Sequence, residues 1–335
     1  MTNGDTREPR PLDLVALVTF DGEVAENQAV TRDRLGRPPE APHPLSAAIE
    51  HWLGRGRHTW VSLRGRELRG IATAREVTPR SPGVGWSRRS SGAVRAWEID
   101  ALIDADAGGD DGDTSVLADL LRQATAAATN AGVSHVLLRT RWDSPAAREA
   151  QRAGFRFAHL ERLWTGTLGR DGEADGTAAK VAVREACEAD EMALFQLYNR
   201  ATPVETRAVL AMTLEEYRAL RERRWAGRHP SVLVATVEDR VTGSLRYNGG
   251  AKLRQFDLLV EAGSAGAAGA LLDAATALHG AAAVTLVDAS AGAVESLLRR
   301  RGLEPSEEYA LLCQRSMRPL TETAPARSAV LPTGG

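Results

Sequence analysis

Short apolar runs recur in the same order in the two halves of this chain of 335 residues. Continuous or alternating apolar runs of about four to eight residues predict strands, and apolar residues spaced about three or four apart predict helices. The first half has predicted strands at 59–63, 68–74 and 96–103, a helix at 116–131, a strand at 136–139, a helix ending at 153–155 and a strand at 159–165. The second half repeats this series with strands at 232–237, 243–247 and 253–260, a helix at 264–280, a strand at 284–287, a helix at 291–301 and a strand at 309–314.

The spacing between matching landmarks is nearly constant. The pair Leu271-Leu272 follows Leu120-Leu121 by 151 residues, and Gly302 follows Gly154 by 148. Such an offset indicates an internal duplication, and the length suits two domains of ordinary size. We therefore predict domains at 1–168 and 178–320, a glycine-rich linker at 169–177 and a disordered tail at 321–335.

Further elements are predicted before each series. In the second half, 181–184 reads as a strand, and Leu194, Leu197 and Tyr198 give an amphipathic helix. Thr213 and Glu216 have the spacing of a capping box, which predicts a helix from there to about 225. In the first half, the apolar run at 12–20 fits either a helix or a strand.

Composition and charge exclude several classes of protein. With 43% hydrophobic and 26% charged residues the sequence is that of a globular protein, and it has neither a membrane-length apolar stretch nor a signal-peptide core, so we expect a cytoplasmic protein. Two cysteines, Cys187 and Cys313, imply no disulfide framework. A net charge of −2 lacks the basic footprint of nucleic-acid binding, and the arginines at 221, 223 and 224 read as a solvated helix face.

A loop of small residues lies between a predicted strand and helix in the second half. Gly263, Gly266 and Ala268 would let backbone N–H groups approach a phosphate at the helix N-terminus. The matching positions of the first half hold Gly112, Ser115 and Leu117, and five aspartates surround them at 104, 106, 110, 111 and 113. Because like charges repel a pyrophosphate, we expect the first half to bind one poorly, and the acids to form a solvated turn, not a metal site.

The order of elements and these local signals resemble the GNAT superfamily of acyl-CoA N-acyltransferases, over about 45–168 and 178–318. The resemblance implies an α/β fold of two tandem domains, each a mostly antiparallel mixed sheet flanked by helices. It also implies acetyl-CoA as co-substrate, bound by Leu259, Val260, Gly263, Gly266 and Ala268. The family's closing helix carries a tyrosine that protonates the departing thiolate in many members. Here its positions hold Ala150 and Leu298, so neither half keeps it.

N-acylation needs a base for the amine and an acid or solvent proton for the thiolate. Strand alternation places Asp257 on one face with Gln255 and Leu259, so Asp257 is the candidate base; an exposed edge acid is the alternative. Tyr309 is the candidate replacement for the missing tyrosine, with a packed aromatic as the alternative. Glu261 follows just after the same predicted strand, and Tyr247 and Asn248 lie on the neighbouring hairpin.

Two functions follow from the resemblance. The first is an N-acyltransferase, most simply an N-acetyltransferase, that acts on a small-molecule or peptide amine with its cofactor site in the second half, as a monomer with an internal pseudo-dimer or as a homodimer. The second is a catalytically inactive tandem protein that serves as a binding or scaffold module, which the lost tyrosines favour. Neither function calls for a metal, a nucleic acid or a membrane.

Overall fold

A computed structural model describes residues 5–19, 26–35, 44–53, 57–77, 94–105, 115–169, 181–221, 231–247, 254–279 and 282–316. Its strands are β1 (Asp5–Arg7), β2 (Arg57–Arg64), β3 (Glu67–Glu76), β4 (Ala96–Asp104), β5 (His135–Arg141), β6 (Arg156–Thr167), β7 (Ala182–Glu185), β8 (Ser231–Val237), β9 (Arg240–Tyr247), β10 (Arg254–Val260), β11 (Ala282–Asp288) and β12 (Leu303–Arg315). Its helices are α1 (Leu14–Thr19), α2 (Pro44–Trp52), α3 (Ser115–Asn130), α4 (Pro145–Arg152), α5 (Glu191–Ala201), α6 (Val204–Val209), α7 (Leu214–Leu220), α8 (Ala265–His279) and α9 (Gly292–Arg300).

All the described strands join one sheet of 12 strands. Their order is β1-β2-β3-β4-β5-β12-β6-β11-β10-β9-β8-β7. The pairs β4–β5 and β10–β11 are parallel, and the other described pairings are antiparallel. The predicted fold class, a mixed and mostly antiparallel sheet flanked by helices, is therefore confirmed.

The two halves exchange their last strands. Strand β12, at the end of the second half, lies between β5 and β6, where Leu312 is opposite Leu138 on one side and Phe157 on the other. Strand β6, at the end of the first half, pairs in turn with β11 of the second half. The sheet consequently runs through both halves without a break, and the predicted boundaries at 168 and 178 stay a prediction.

The exchange extends into the cores. Helices α3 and α4 cover a core of the first half that includes Ala310 and Leu312 from β12. Helices α8 and α9 cover a second core that includes Trp164 from β6. Because each half buries apolar side chains of the other, the two cores depend on each other.

Most predicted elements appear with shifted ends. The apolar run at 12–20 forms α1, and Thr213 and Glu216 make the reciprocal hydrogen bonds of a capping box at the start of α7. Helix α6 was not predicted, and β12 begins six residues before the predicted strand, at Leu303. The aspartates at 106, 110, 111 and 113, most of the linker, Asn248 and the tail lie outside the described residues.

Candidate functional site

Strands β10 and β11 separate after a short paired stretch. Their parallel pairing covers only Arg254 to Phe256 of β10, opposite Ala283 to Thr285 of β11. Beyond Phe256, the β11 side of β10 has no strand partner among the described residues, although β9 continues to pair on the other side. The divergence leaves a gap through the sheet in the second half.

A cavity of about 540 Å³ fills this gap. At one end it reaches the loop before α8 and the start of α9, and at the other it reaches helices α5 to α7. Between them it is bounded by the diverging strands, from Asp257 to Val260 and from Leu286 to Asp288. The cavity therefore connects the two faces of the sheet.

The loop end of the cavity has the features predicted for a phosphate site. Gly263 has a left-handed backbone with φ +82°, and a Cβ placed there would meet no atom within 4 Å. The loop leads directly into α8, whose first N–H groups have no helical acceptor. Leu259, Val260, Gly263 and Ala268 line the cavity, whereas Gly266 lies on the first turn of α8 outside its lining.

Asp257 lines the opposite end, on the face of β10 away from α8. Its carboxylate lies 3.6 Å from the guanidinium of Arg32 and 3.8 Å from that of Arg246, its neighbour on β9. Tyr198 and Tyr217 also line this end, with ring centroids 5.2 Å apart. Burial raises the pKa of both tyrosines, so their hydroxyls stay protonated.

A buried chain of ion pairs borders this end of the cavity. Arg139 donates to Glu161 at 2.5 Å and to Glu98 at 3.4 Å, and Arg32 donates to Glu161 at 3.2 Å. Burial disfavours the charged form of Glu161, but Arg139, His159 and Arg32 outweigh it and hold its pKa well below the usual range. Each buried carboxylate thus has a cationic partner, which is the condition for keeping charges in a protein interior.

The matching gap in the first half is filled by the chain itself. Strands β4 and β5 also separate after three paired positions, and residues 26–31 run between them. The backbone N–H of Gln28 donates to Leu102 and that of Val30 to Arg139, each at 2.8 Å. The Asn27 side chain accepts from the Leu102 amide at 2.9 Å. We call residues 26–31 the plug; it leaves the second half with the open cleft.

Other residues proposed from the sequence lie apart from the cavity. Tyr309 packs among Leu35, Leu163, Val284 and Leu286, and its hydroxyl donates to Glu307. Burial and this hydrogen bond raise the pKa of Tyr309. Its surroundings match the packed aromatic that was the alternative.

Of two further candidates, Glu261 is held in ion pairs and Tyr247 packs into a hydrophobic core. Glu261 lines the cavity but is held by Arg240 at 2.7 Å and Arg200 at 3.2 Å. Tyr247 packs into the core under α8. Arg221 is half-buried and lines the cavity, whereas Arg223 and Arg224, which were predicted to form a solvated face with it, lie outside the described residues.

Sequence reasoning missed Arg32, Arg246, Tyr217 and the Arg139–Glu161 pair. A register for the predicted hairpin would have placed Arg246 opposite Asp257, since the two are strand neighbours. No spacing in the sequence connects Arg32 with the second half, because only the folded sheet brings them together.

Across the described ranges, no group of three or more His, Cys, Asp or Glu is placed to hold a metal ion.

Comparison with known proteins gives a result at the level of structure. No family model matches the chain, and a search of curated proteins finds no significant match. The structure is similar to a GCN5-related N-acetyltransferase from Sphaerobacter thermophilus, with TM-score 0.50 and 16% identity over 93% of this chain and 95% of that one.

Other solved structures match with lower TM-scores. A GCN5-related N-acetyltransferase from Anabaena variabilis has TM-score 0.47 and 10% identity, over 93% of this chain and 72% of that one. A tandem GNAT protein from the clavulanic acid biosynthesis pathway has TM-score 0.42 and 13% identity, over 92% and 88% of the two chains. The similarity to the Sphaerobacter protein shows that this chain has the GNAT fold, and at that identity it shows the fold alone.

None of the helices described is long and apolar enough to cross a bilayer.

Proposed function

We propose that this chain transfers an acyl group from acyl-CoA to an amine, and that the second half holds the acyl-CoA. The observation that carries the proposal is the gap between β10 and β11, which opens at one end on Gly263 and the start of α8. Backbone on a diverging strand offers hydrogen bonds to an extended ligand, and a helix N-terminus favours its phosphates. Both features occur in one cavity of about 540 Å³.

Acyl-CoA fits the residues present. Gly263 leaves open space where a side chain would stand, and Ala268 keeps the first turn of α8 small. The amide of Glu261 donates to Thr242 on the β9 side, so by strand alternation it is Val260, and not Leu259, that presents its backbone groups to the unpaired edge of β10. The plug occupies the corresponding edge in the first half, so one acyl-CoA per chain is expected.

In the proposed reaction the amine nitrogen bonds to the acyl carbon and the carbon–sulfur bond breaks. The nitrogen loses one proton and the sulfur gains one, so the exchange balances without a further reactant. Asp257 lies on the diverging strand itself, at the acceptor end of the cavity, and is assigned the proton from nitrogen. Solvent supplies the proton to sulfur, because burial raises the pKa of Tyr198 and Tyr217 and makes them poor acids.

An inactive binding protein is the second candidate. It is favoured by the two arginines beside Asp257, since they already lie against the carboxylate that the reaction would use. It is also favoured by Tyr309, whose hydroxyl donates to Glu307 and does not line the cavity. Both candidate functions predict that the chain binds a ligand, so only a measurement of acyl-transfer turnover distinguishes them.

Calorimetric titration of the full chain with acetyl-CoA tests the cofactor site. Gly263→Val is expected to weaken binding by about tenfold or more, since it strains the loop and fills its open space. Gly65→Val is the matched control, because Gly65 also has a left-handed φ, of +65°, and open space around it, but lies in the β2–β3 turn. No binding by the unmodified chain, or an equal loss in both variants, would refute the assignment.

Acetylation of a panel of amines tests the chemistry. Asp257→Asn is expected to lower kcat by about 10² or more while acetyl-CoA binding is unchanged. Asp239→Asn makes the same exchange in the exposed β8–β9 turn and serves as control. Acetyl-CoA binding without turnover of any amine would favour the inactive binding protein.

A further inference from the structure

The end of the cavity opposite α8 is rich in charged side chains. We call Arg32, Tyr217, Arg221, Arg246 and Asp257 the acceptor wall; all line the cavity. Burial raises the pKa of Tyr217, and the charges of Arg221, Arg246 and Asp257 are near enough to act on it. The wall holds three guanidinium groups and one carboxylate, and Glu98 and Glu161 of the buried ion-pair chain line the cavity beside it.

Two cations of the wall, Arg32 and Arg246, lie beside its one acid, Asp257. Arg32 is shared between Asp257 at 3.6 Å and Glu161 at 3.2 Å. The side chain of Arg221 is half-buried between this cavity and a second pocket lined by Glu185, Glu188 and Glu191, and it makes no hydrogen bond or ion pair with a residue that the structure describes. A partly buried guanidinium without a close counter-ion favours a ligand that brings negative charge.

Asp257 and Arg246 define how such a ligand would lie. They are opposite each other on neighbouring strands, with the guanidinium 3.8 Å from the carboxylate. A ligand that carries an ammonium next to a carboxylate matches this pair, because its ammonium can face the carboxylate of Asp257 while its carboxylate faces the guanidinium of Arg246. The arginine fork also matches carboxylate geometry, and Arg221 adds a second cation at the same wall.

We infer that the acceptor is an amine with a carboxylate on the adjacent carbon, as in an α-amino acid, its nitrogen against Asp257 and its carboxylate against Arg246 and Arg221. This inference rests on the proposed function for the identity of the site, and it adds the class of acceptor. The phosphates of coenzyme A do not account for these arginines, because Asp257 and Leu259 face α5 while the phosphate loop leads into α8 on the other face.

Calorimetry with product-like pairs tests the inference directly. The probes are N-acetyl-α-amino acids and the same compounds without the carboxylate, for example N-acetylphenylalanine and N-acetylphenethylamine, added to the full chain. At least one carboxylated member is expected to bind about tenfold or more tighter than its partner. Arg221→Gln should remove most of that preference and leave the decarboxylated member unaffected.

Arg218→Gln is the matched control, because Arg218 lies on α7, which ends just before Arg221, but pairs with Glu191 at the surface. Equal binding within every pair, no binding by any carboxylated member, or equal effects of the two arginine variants would overturn the inference. A preference for succinyl-CoA over acetyl-CoA that Arg221→Gln abolishes would also overturn it, because the carboxylate would then belong to the acyl chain.

The two proposals fail separately. Acetyl-CoA binding without discrimination within the pairs would leave the acyltransferase proposal standing and remove the acceptor class. If the protein discriminates within the pairs but does not bind acetyl-CoA, the acyltransferase proposal fails and the cavity stands as a binding site for carboxylated amides.

Discussion

Arg32 and Asp257 lie 3.6 Å apart although they belong to opposite halves of the chain. Arg32 follows the plug, so the segment that fills the first gap also supplies a cation to the cavity in the second. The first half therefore contributes to the candidate site although its own gap is closed. Within the described residues, the two halves share one sheet, and the gap between β10 and β11 stays open while that between β4 and β5 is filled.

Replacing Arg32 should destabilise the fold. Arg32→Gln removes a partner from the fully buried Glu161 and from Asp257, and we expect the free energy of unfolding to fall by about 1–3 kcal/mol. Urea denaturation measures this change. Arg122→Gln, which breaks an exposed pair with Asp119 on α3, should cost less than about 0.5 kcal/mol. Equal costs for the two variants would show that Arg32 has no special role.

The plug should be a stable part of the first half. The amides of Gln28 and Val30 are hydrogen-bonded to strand carbonyls on opposite sides of the gap, so their hydrogen exchange should be slow. Asn27→Ala removes the acceptor of the Leu102 and Ala29 amides and should lower the free energy of unfolding by about 1–3 kcal/mol. Exchange at 28 and 30 as fast as in an unstructured peptide would contradict the structure.

Acetyl-CoA provides a further check on the plug. Binding in the second half should slow exchange along the unpaired edge of β10 and leave residues 26–31 unchanged, because the first gap is already filled. Slower exchange of the plug amides on addition of acetyl-CoA would instead indicate a second cofactor site.

The sequence allowed much of this fold to be predicted, because the repeated apolar pattern and the Thr213–Glu216 capping box are local signals. The loop at Gly263 was placed correctly before a helix for the same reason. The strand exchange was not predicted, since an apolar strand such as β12 fits any sheet position with two neighbours. Arg32 was missed because its partners, Glu161 and Asp257, are set by tertiary structure alone.

Stability should fall in mild acid through His135. Burial lowers its pKa to about 4, with Arg315 acting in the same direction and Glu216 against it. The unfolded chain binds a proton at His135 below about pH 6.5, but the folded chain does so only below about pH 4. Stability is therefore complete above pH 6.5 and is lost as the pH falls towards 4, by up to about 3 kcal/mol.

Urea denaturation of the native chain and of His135→Gln between pH 7 and pH 5 separates this effect from that of the carboxylates. Glu161, whose pKa is held low, loses its contribution only as the pH falls below its ordinary value of 4.5. Between pH 6.5 and 5 the variant should show a flatter dependence of unfolding free energy on pH. Parallel curves for the two proteins would rule out His135 as the cause.

The exchange of last strands makes a prediction about a single residue. Leu312 belongs to β12 at the end of the chain, but it is fully buried in the core under α3 and α4. Leu312→Ala should therefore lower the free energy of unfolding by about 2–5 kcal/mol and speed hydrogen exchange in α3 and β5, far away in sequence. Leu12→Ala, at a side chain 91% exposed, should change stability by less than about 0.5 kcal/mol. If exchange speeds up only in α8, α9 and β11, then β12 completes the second half and the strands are not exchanged.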